Sequence, residues 1–381
     1  MHSECLNCRS GLRVAVVLAA ALSACNALAQ VPPDIEAQLL KIGQIVDPAC
    51  TAKIYRPLMP ANDVNSGVTP LYPGIAVSRD VSFGKDPKDV VDIFAAEKGG
   101  GKRPVLIFVP GGQGNKIELQ AREGNAFYDN IGRWGTKNGM VVVTMQRHPG
   151  ANWDDPAKDV SSMIQWVEAN ISRYKGNPDR MFAWAQSAGN GPLGTYVGRP
   201  ELYGPKGIGL KGVIFMSGQF NILPVQVAGA GGRGAATTNV PGSSCGSGGP
   251  GATDGFLPGR APGQPGGPNP PAAAGGPGGG GGGRGQPVDA ATQLARSTLP
   301  AYKATKVKIL LATAELDPGI ADGKMAPFNI AFHDELCKAG PDHCPTMLFE
   351  KGESHMSEVF SIDTSDKTVS DPILLWMRKI K

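Results

Sequence analysis

The chain alternates short apolar runs, rich in β-branched residues, with longer segments in which apolar residues recur every three or four positions. A continuous apolar run predicts a strand buried on both faces, and the longer period predicts a helix that covers it. Within 155–174 the helical spacing is carried by Val160, Met163, Ile164, Val167 and Ile171. The predicted strands are 90–94, 105–109, 140–144, 181–185, 213–216, 307–311 and 346–349. This order predicts a mostly parallel sheet with helices on both faces and a ligand site at the carboxyl ends of the strands.

Glycine and proline are concentrated in one segment. The 381 residues include 53 glycines and 33 prolines, about twice the usual shares of roughly 7% and 5%. Most of the excess lies in 229–287, which has almost nothing to bury, so we expect this segment to be disordered. Because apolar, periodic sequence resumes on both sides, we predict a single folded domain over 30–381 with 229–287 as an insertion within it.

The first thirty residues have the pattern of an export signal. Two arginines precede the apolar run 14–22, which is too short to cross a bilayer but has the length of a signal core. Ala27-Leu28-Ala29 predicts removal of residues 1–29, whereas a lipoprotein box ending at Cys25 would remove 1–24 and lipidate that cysteine. Both alternatives predict export to the periplasm or the extracellular space, and only the second predicts a membrane tether.

Cysteine usage agrees with export. Removal of the signal at Ala29 leaves four cysteines, an even number that suits an oxidising compartment. Cys337 and Cys344 flank a turn-rich connector, so we predict a disulfide between them, and closing this loop of about eight residues stabilises by roughly 2.5 kcal/mol. Cys50 and Cys245 are the two that remain, which is the only argument for pairing them. No spacing here suits a tetrahedral zinc site, so no metal is predicted.

The charge pattern excludes one class of partner. The sequence has 37 basic and 33 acidic residues, a formal net charge of +4, and 6% aromatic residues. The basic residues do not form a continuous block in the sequence. The electrostatic footprint of a nucleic-acid-binding protein is therefore missing.

Ser187 is the predicted nucleophile. Strand 181–185 runs into Gln186-Ser187-Ala188-Gly189 and then into a helix pattern. In the G-x-S-x-G nucleophile elbow the serine lies on a strained strand-to-helix turn, and small residues two positions before and after it let strand and helix pass closely. Ala185 stands at the first of these positions and adds one methyl group. The alternative is a serine that caps an ordinary helix, but the strand before it and the helix after it favour the elbow.

A glycine-rich loop follows strand 105–109, with the sequence Pro110-Gly111-Gly112-Gln113-Gly114. Glycines let main-chain N–H groups turn inward, and two such donors together with the N–H of Ala188 would bind the oxyanion of a tetrahedral intermediate. A plain strand-to-helix turn also uses glycine. The position of the loop, one strand-helix-strand unit before the serine strand, favours the oxyanion role.

A carboxylate follows strand 307–311, in the segment Glu315-Leu316-Asp317-Pro318. A carboxylate just beyond a strand end can orient a histidine and compensate its positive charge. We predict Asp317 for this role. Glu315 is the rival and points to the other face by alternation if the strand continues that far, while a simple capping role is the alternative for Asp317.

His355 is the predicted general base because it lies on the loop after the last predicted strand, 346–349. The alternatives are His148, His333 and His343. Of these, His333 lies in a helix pattern and His343 in the predicted disulfide loop.

The order Ser187, Asp317, His355 is that of α/β-hydrolases. From about residue 90 to the C-terminus, outside the insertion, the chain resembles the α/β-hydrolase superfamily, specifically carboxylesterases related to hormone-sensitive lipase and to arylformamidases. The motifs that carry the resemblance are 110–113 in place of His-Gly-Gly-Gly, 186–189, 315–318 and 354–355. The resemblance implies the α/β-hydrolase fold.

The resemblance also implies that Gly112 and Gln113 donate to the oxyanion together with Ala188. The sequence departs from the family pattern at Pro110, which replaces the usual histidine, and at Gln113, which replaces the third glycine. Main-chain donors tolerate a changed side chain, so the resemblance keeps these roles despite the two departures.

The expected function is hydrolysis of a small-molecule or polymeric carboxylic ester. Ser187 attacks the ester carbonyl, His355 takes its proton and passes it to the leaving alcohol, and Asp317 orients the imidazole, after which water hydrolyses the acyl-enzyme. No cofactor is needed. The alternatives are an amidase or peptidase with the same groups, and a binding protein that keeps the fold without turnover, as the changes at Ala185, Pro110 and Gln113 suggest.

Overall fold

The computed structural model describes residues 30–59, 72–112, 116, 125–148, 154–224, 290–320 and 323–381. Several predictions from the sequence lie outside these residues: the signal segment 1–29 with Cys25, the insertion 229–287 with Cys245, and Gln113. Within the described part of the chain, no helix has the length and apolar character needed to cross a membrane.

Eight strands form one sheet. They are β1 (Ile75–Ser82), β2 (Val90–Ala96), β3 (Arg103–Val109), β4 (Val141–Met145), β5 (Gly176–Gln186), β6 (Leu210–Met216), β7 (Lys308–Leu316) and β8 (Thr346–Ser354). Their order across the sheet is β1-β2-β4-β3-β5-β6-β7-β8. Strand β2 is antiparallel to β1 and to β4, and every other neighbouring pair is parallel. The prediction of a mostly parallel sheet is confirmed.

Helices cover both faces of the sheet. The described helices are α1 (Pro33–Ile42), α2 (Pro48–Tyr55), α3 (Asp129–Lys137), α4 (Asp155–Asn170), α5 (Asn190–Val197), α6 (Ala290–Ala295), α7 (Leu299–Ala304), α8 (Pro327–Cys337), α9 (Ser357–Phe360) and α10 (Ser370–Lys379). The helix predicted over 155–174 is α4 followed by the short 3-10 turn Ile171–Tyr174.

Side-chain alternation along the central strands separates two apolar cores, one on each face. In β5, Phe182 and Trp184 lie in a core with residues of α3 and α10. Met181 and Ala183 point the other way, into a core with residues of α4 and α5. Because both faces are buried, the central strands contain continuous apolar runs, which is why they could be predicted from the sequence.

Cysteine pairing is described for one complete disulfide. Cys337, the last residue of α8, is bonded to Cys344, with 4.4 Å between the two Cα atoms. Cys50 in α2 is also disulfide-bonded, and its partner is not among the described residues. The pairing of Cys50 with Cys245 therefore stays a prediction.

Candidate active site

Ser187 occupies a sharp turn between β5 and α5. It is the first residue of the 3-10 turn Ser187–Gly189, directly after the end of β5, and its φ is +52°. A residue other than glycine rarely adopts this left-handed region, and such strained positions are concentrated at functional sites. The conformation is that of a nucleophile elbow, which lifts the serine side chain above the end of the sheet.

Close packing explains which of the small residues around the serine is required. A Cβ atom built on Gly189 would lie 2.4 Å from the carbonyl oxygen of Val109, so no larger residue fits there. Ala185 is fully buried in β5, where it pairs with Val109 on one side and Phe215 on the other. The sheet thus accommodates the methyl group of Ala185, and the departure from the G-x-S-x-G pattern leaves the turn intact.

Three predicted residues meet at the carboxyl ends of β5, β7 and β8. The Nε2 atom of His355 lies 2.8 Å from Oγ of Ser187, and its Nδ1 atom lies 2.6 Å from Oδ1 of Asp317. Asp317 directly follows β7, and His355 directly follows β8. His355 and Asp317 are 1% and 7% exposed. This is the serine-base-carboxylate arrangement that acyl-transfer chemistry requires.

The rival residues contact other groups. The Oε2 atom of Glu315 accepts a hydrogen bond from the main-chain N–H of Gly352 at 2.8 Å, so Asp317 is the carboxylate that contacts His355. His148 lies 3.2 Å from Asp159.

The other two histidine alternatives are also placed elsewhere. His333 in α8 lies 3.0 Å from the carboxylate of Asp334. His343 belongs to the turn Pro341–His343, inside the loop closed by the disulfide.

A buried hydrogen-bond network connects the turn Ser187–Gly189 to the segment that begins with His355. Nε2 of Gln186 donates to the carbonyl oxygen of His355 at 2.9 Å and to Oε1 of Glu358 at 3.0 Å. The hydroxyl of Ser217 donates to Oε2 of the same glutamate at 2.7 Å. Because Gln186 directly precedes Ser187, the network sets the spacing between nucleophile and base. Sequence reasoning missed Glu358, and its signal was an acidic residue within an apolar segment close to His355.

Further acidic residues lie buried next to this network. Glu350 and Glu353 of β8 are both fully buried. Burial, followed by the charges of Glu358 and Glu353, raises the pKa of Glu350 well above its ordinary value. Burial, followed by the charge of Asp366, does the same to the pKa of Glu353. The protein environment therefore favours the protonated form of both side chains.

The glycine loop lies directly against Ser187. A Cβ atom built on Gly111 would lie 2.8 Å from Cβ of Ser187. Gly112 adopts a φ of +56°, a conformation that glycine reaches without strain. Ala188 is exposed on the elbow turn. The oxyanion roles of Gly112 and Ala188 stay predictions, as does that of Gln113, which lies outside the described residues.

Arg147 is a second residue that sequence reasoning missed. It lies two residues beyond the end of β4, and its guanidinium is hydrogen-bonded to carbonyl oxygens of the glycine loop. The sequence feature that could have indicated its role is its position shortly after a predicted strand, because residues that follow a parallel strand lie at the ligand-binding edge of the sheet.

One side-chain group in the described ranges has the composition of a metal site. Asp89, His148 and Asp159 place one ligand atom each within 4.8 Å of one another. All three are half-buried, and none belongs to the serine-histidine-aspartate arrangement. Carboxylate and imidazole ligands suit a divalent cation, but Nδ1 of His148 already lies 3.2 Å from the carboxylate of Asp159.

Comparisons of sequence point to one family of relatives. The BD-FAE family model matches residues 91–199. A probable isoprenylcysteine alpha-carbonyl methylesterase of Arabidopsis thaliana is 30% identical over 122 residues, which are 30% of this chain and 23% of that protein. Its counterpart from Oryza sativa subsp. japonica is 30% identical over 115 residues, or 30% of this chain and 26% of that protein. The chain thus matches about a quarter of the length of these relatives.

Comparisons of structure extend over nearly the whole fold. A bacterial heroin esterase superposes with a TM-score of 0.51 at 16% identity, covering 92% of this chain and 98% of that one. A thermostable esterase from Pseudomonas putida ECU1011 gives a TM-score of 0.51 at 14% identity, covering 92% and 95%. A likeness at such low identity establishes the fold. Together with this sheet order and this elbow, the likeness shows that the chain has the α/β-hydrolase fold.

Proposed function

We propose that this protein is a carboxylic ester hydrolase that works through an acyl-enzyme on Ser187. One observation carries the proposal: a serine on a strained elbow lies 2.8 Å from a histidine that in turn lies 2.6 Å from a buried aspartate. The names of the relatives, methylesterases in sequence and esterases in fold, support the same class of reaction.

The geometry assigns a role to each side chain. Asp317 accepts a hydrogen bond from the Nδ1–H of His355, which leaves Nε2 free to accept the proton of the Ser187 hydroxyl as its oxygen attacks the ester carbonyl. The new C–O bond moves an electron pair onto the carbonyl oxygen. The N–H groups of Ala188, Gly112 and Gln113 are placed by the proposal at that oxyanion.

Collapse of the intermediate breaks the bond to the alcohol, which leaves with the proton from His355. Water then attacks the acyl-enzyme, again giving its proton to His355, and the acid departs as Ser187 is reprotonated. Every proton thus passes through Nε2 of His355, the atom that contacts Ser187.

We further propose a small ester as the substrate and export as the destination. The sequence relatives are named as methylesterases and one structural neighbour as a heroin esterase, and these names support an ester with a small group. Export rests on the signal pattern of residues 1–29 alone, and the mass of the mature N-terminus distinguishes cleavage after Ala29 from lipidation of Cys25.

A fluorophosphonate probe tests the proposal on the full chain. We expect the probe to modify wild type on the peptide that contains Ser187, and Ser187→Ala to lose both labelling and hydrolysis of p-nitrophenyl acetate by several orders of magnitude. Ser172→Ala is the matched control, because Ser172 is exposed on the turn Ile171–Tyr174. Labelling of Ser187→Ala at the wild-type rate would contradict the assignment.

The same experiment separates the alternatives. A wild type that neither reacts with the probe nor hydrolyses esters would be a binding protein that keeps the fold. A wild type that reacts with the probe and cleaves anilides faster than the matched esters would be an amidase or peptidase.

A further inference from the structure

A buried arginine donates hydrogen bonds to main-chain carbonyls of the glycine loop. Arg147 is 5% exposed. Its Nε donates to the carbonyl oxygen of Pro110 at 3.1 Å, and its Nη2 donates to that of Gly112 at 2.6 Å. The carbonyl oxygen of Gly111 lies 3.5 Å from the same Nη2. Three successive carbonyl groups therefore face one guanidinium.

These carbonyls are the hydrogen-bond partners of the buried charge. The ion pairs found among the described residues do not include Arg147, although the charge of Asp159 also acts on it. Burial lowers the pKa of its guanidinium to about 10, so the group is still cationic at neutral pH. A buried cation must be hydrogen-bonded to be tolerated, and hydrogen bonds from a charged donor are stronger than neutral ones. The loop is therefore held firmly on the side that faces Arg147.

Peptide geometry carries this restraint to the opposite side of the loop. In a planar trans peptide the C=O and the next N–H point in opposite directions. A Gly111 carbonyl that faces Arg147 thus turns the N–H of Gly112 away from Arg147. The loop is packed against the nucleophile, since a Cβ on Gly111 would lie 2.8 Å from Cβ of Ser187.

We propose that Arg147 is a positioning residue for transition-state stabilisation: it holds the carbonyls of Pro110, Gly111 and Gly112 so that the N–H of Gly112 stays directed at the oxyanion. The inference rests on the proposed function, because it concerns the same acyl transfer on Ser187. Arginine suits the role because its planar fork spans separated acceptors, whereas lysine offers a single point charge.

The test compares Arg147→Ala and Arg147→Lys with wild type in the full chain. Two rates are measured: kcat with KM for p-nitrophenyl acetate, and the second-order rate at which a fluorophosphonate modifies Ser187. Both reactions build negative charge on an oxygen next to the serine. For Arg147→Ala we expect both rates to fall about 10- to 100-fold with KM changed less than about twofold, a smaller loss than the ~10²–10³ for deleting a donor outright. Both rates of Arg147→Lys should lie between those of wild type and of Arg147→Ala. Millimolar guanidinium should restore part of the activity of Arg147→Ala.

Arg103→Ala is the matched control. Arg103, the first residue of β3, also donates to main-chain carbonyls. Its acceptors are Lys98 and Gly100, in the turn that precedes this strand. We expect its rates to equal those of wild type. If Arg147 had a purely structural role, Arg147→Ala would lower the folded fraction seen by circular dichroism. The kcat of the molecules that stay folded would then be unchanged.

Each outcome decides between the two proposals. If wild type is modified at Ser187 and folded Arg147→Ala reacts at the same rate, or shows only a raised KM, the positioning role is wrong and the proposed function stands. If Arg147→Ala does not fold, unchanged rates in Arg147→Lys overturn the role. If wild type is not modified at Ser187, the proposed function falls and this inference with it.

Discussion

Two buried clusters of charged residues hold their carboxylates in opposite ways. The edge cluster, formed by Arg79, Asp92, Lys116 and Asp129, pairs every buried carboxylate with a cation. Asp92 lies 2.9 Å from the guanidinium of Arg79 and 2.8 Å from the ammonium of Lys116. Burial alone would raise the pKa of Asp92, but these two cations lower it below its ordinary value. The carboxylate of Asp92 is therefore stabilised in its ionised form.

The acid cluster, formed by Glu350, Glu353, Glu358 and Asp366, lies next to the segment that begins with His355. Burial raises the pKa of Glu350 and of Glu353, and the charges of the neighbouring acidic residues raise both further. The hydroxyl of Tyr55 donates to Asp366 at 2.9 Å, and Gln186 and Ser217 donate to Glu358. Neutral donors and bound protons thus take the place that cations have in the edge cluster.

The difference teaches how a carboxylate-rich site can limit the negative charge near its base. The protein environment favours the neutral forms of Glu350 and Glu353, and Asp317 is the carboxylate that contacts the imidazole of His355. The edge cluster joins β1, β2 and α3 at the far side of the sheet from β8. We expect damage there to change stability, and damage beside the histidine to change catalysis or its dependence on pH.

The largest effect is expected for Asp317, which is buried beside the acid cluster but contacts a histidine. Asp317→Asn keeps the shape and removes the charge, so the Nδ1–H that fixes the tautomer of His355 loses its acceptor carboxylate. In a serine protease, the corresponding change lowers kcat about 10⁴-fold, and we expect a loss of that order with p-nitrophenyl acetate. Glu315→Gln is the control, because Glu315 bonds to Gly352. A larger loss in the control would reassign the orienting carboxylate.

The next effect tests the edge cluster through stability. Asp92→Ala leaves Lys116 buried, and among the described residues the exposed Asp80 is the carboxylate partner that remains. Breaking a buried ion pair in this way destabilises by about 3–5 kcal/mol. Urea denaturation should show this loss, while kcat of the folded variant stays within about twofold of wild type. Glu201→Ala removes an exposed partner of Arg199 and should change stability by less than about 1 kcal/mol. Equal losses of stability in the two variants would show that the edge cluster stabilises the fold no more than an exposed ion pair does.

The sequence predicted the elements that local pattern determines. Central strands contain continuous apolar runs, and Ser187, Asp317 and His355 each follow a strand end. Strand order was therefore enough to bring these three residues to one edge. Strand β1 was missed because Ile75–Ser82 lies at the edge of the sheet and is mostly solvent-accessible, with one fully buried position at Ile75. Such a strand has little apolar signal.

Arg147 and Glu358 could not be predicted because their roles depend on contacts between distant segments. Arg147 bonds to a loop 35 to 37 positions earlier in the chain, and Glu358 bonds to Gln186, 172 positions earlier. No local period encodes such pairs. Their only sequence signal was a charged residue close to a strand end or to His355, which surface residues also show.

The smallest effect concerns the pH dependence of the acid cluster. The folded-state pKa of Glu350 is raised above its unfolded value, so its contribution to stability is fully present below the unfolded pKa and is lost as pH rises through the folded pKa. Glu350→Gln is neutral at every pH and removes this loss. We expect the free energy of unfolding of the variant, relative to wild type, to rise between pH 4.5 and 8. Glu201→Gln, at an exposed site, should give a constant difference over the same range. A Glu350→Gln difference that stays constant or falls as pH rises would mean that Glu350 is ionised in the folded protein, and the contrast between the two clusters would disappear.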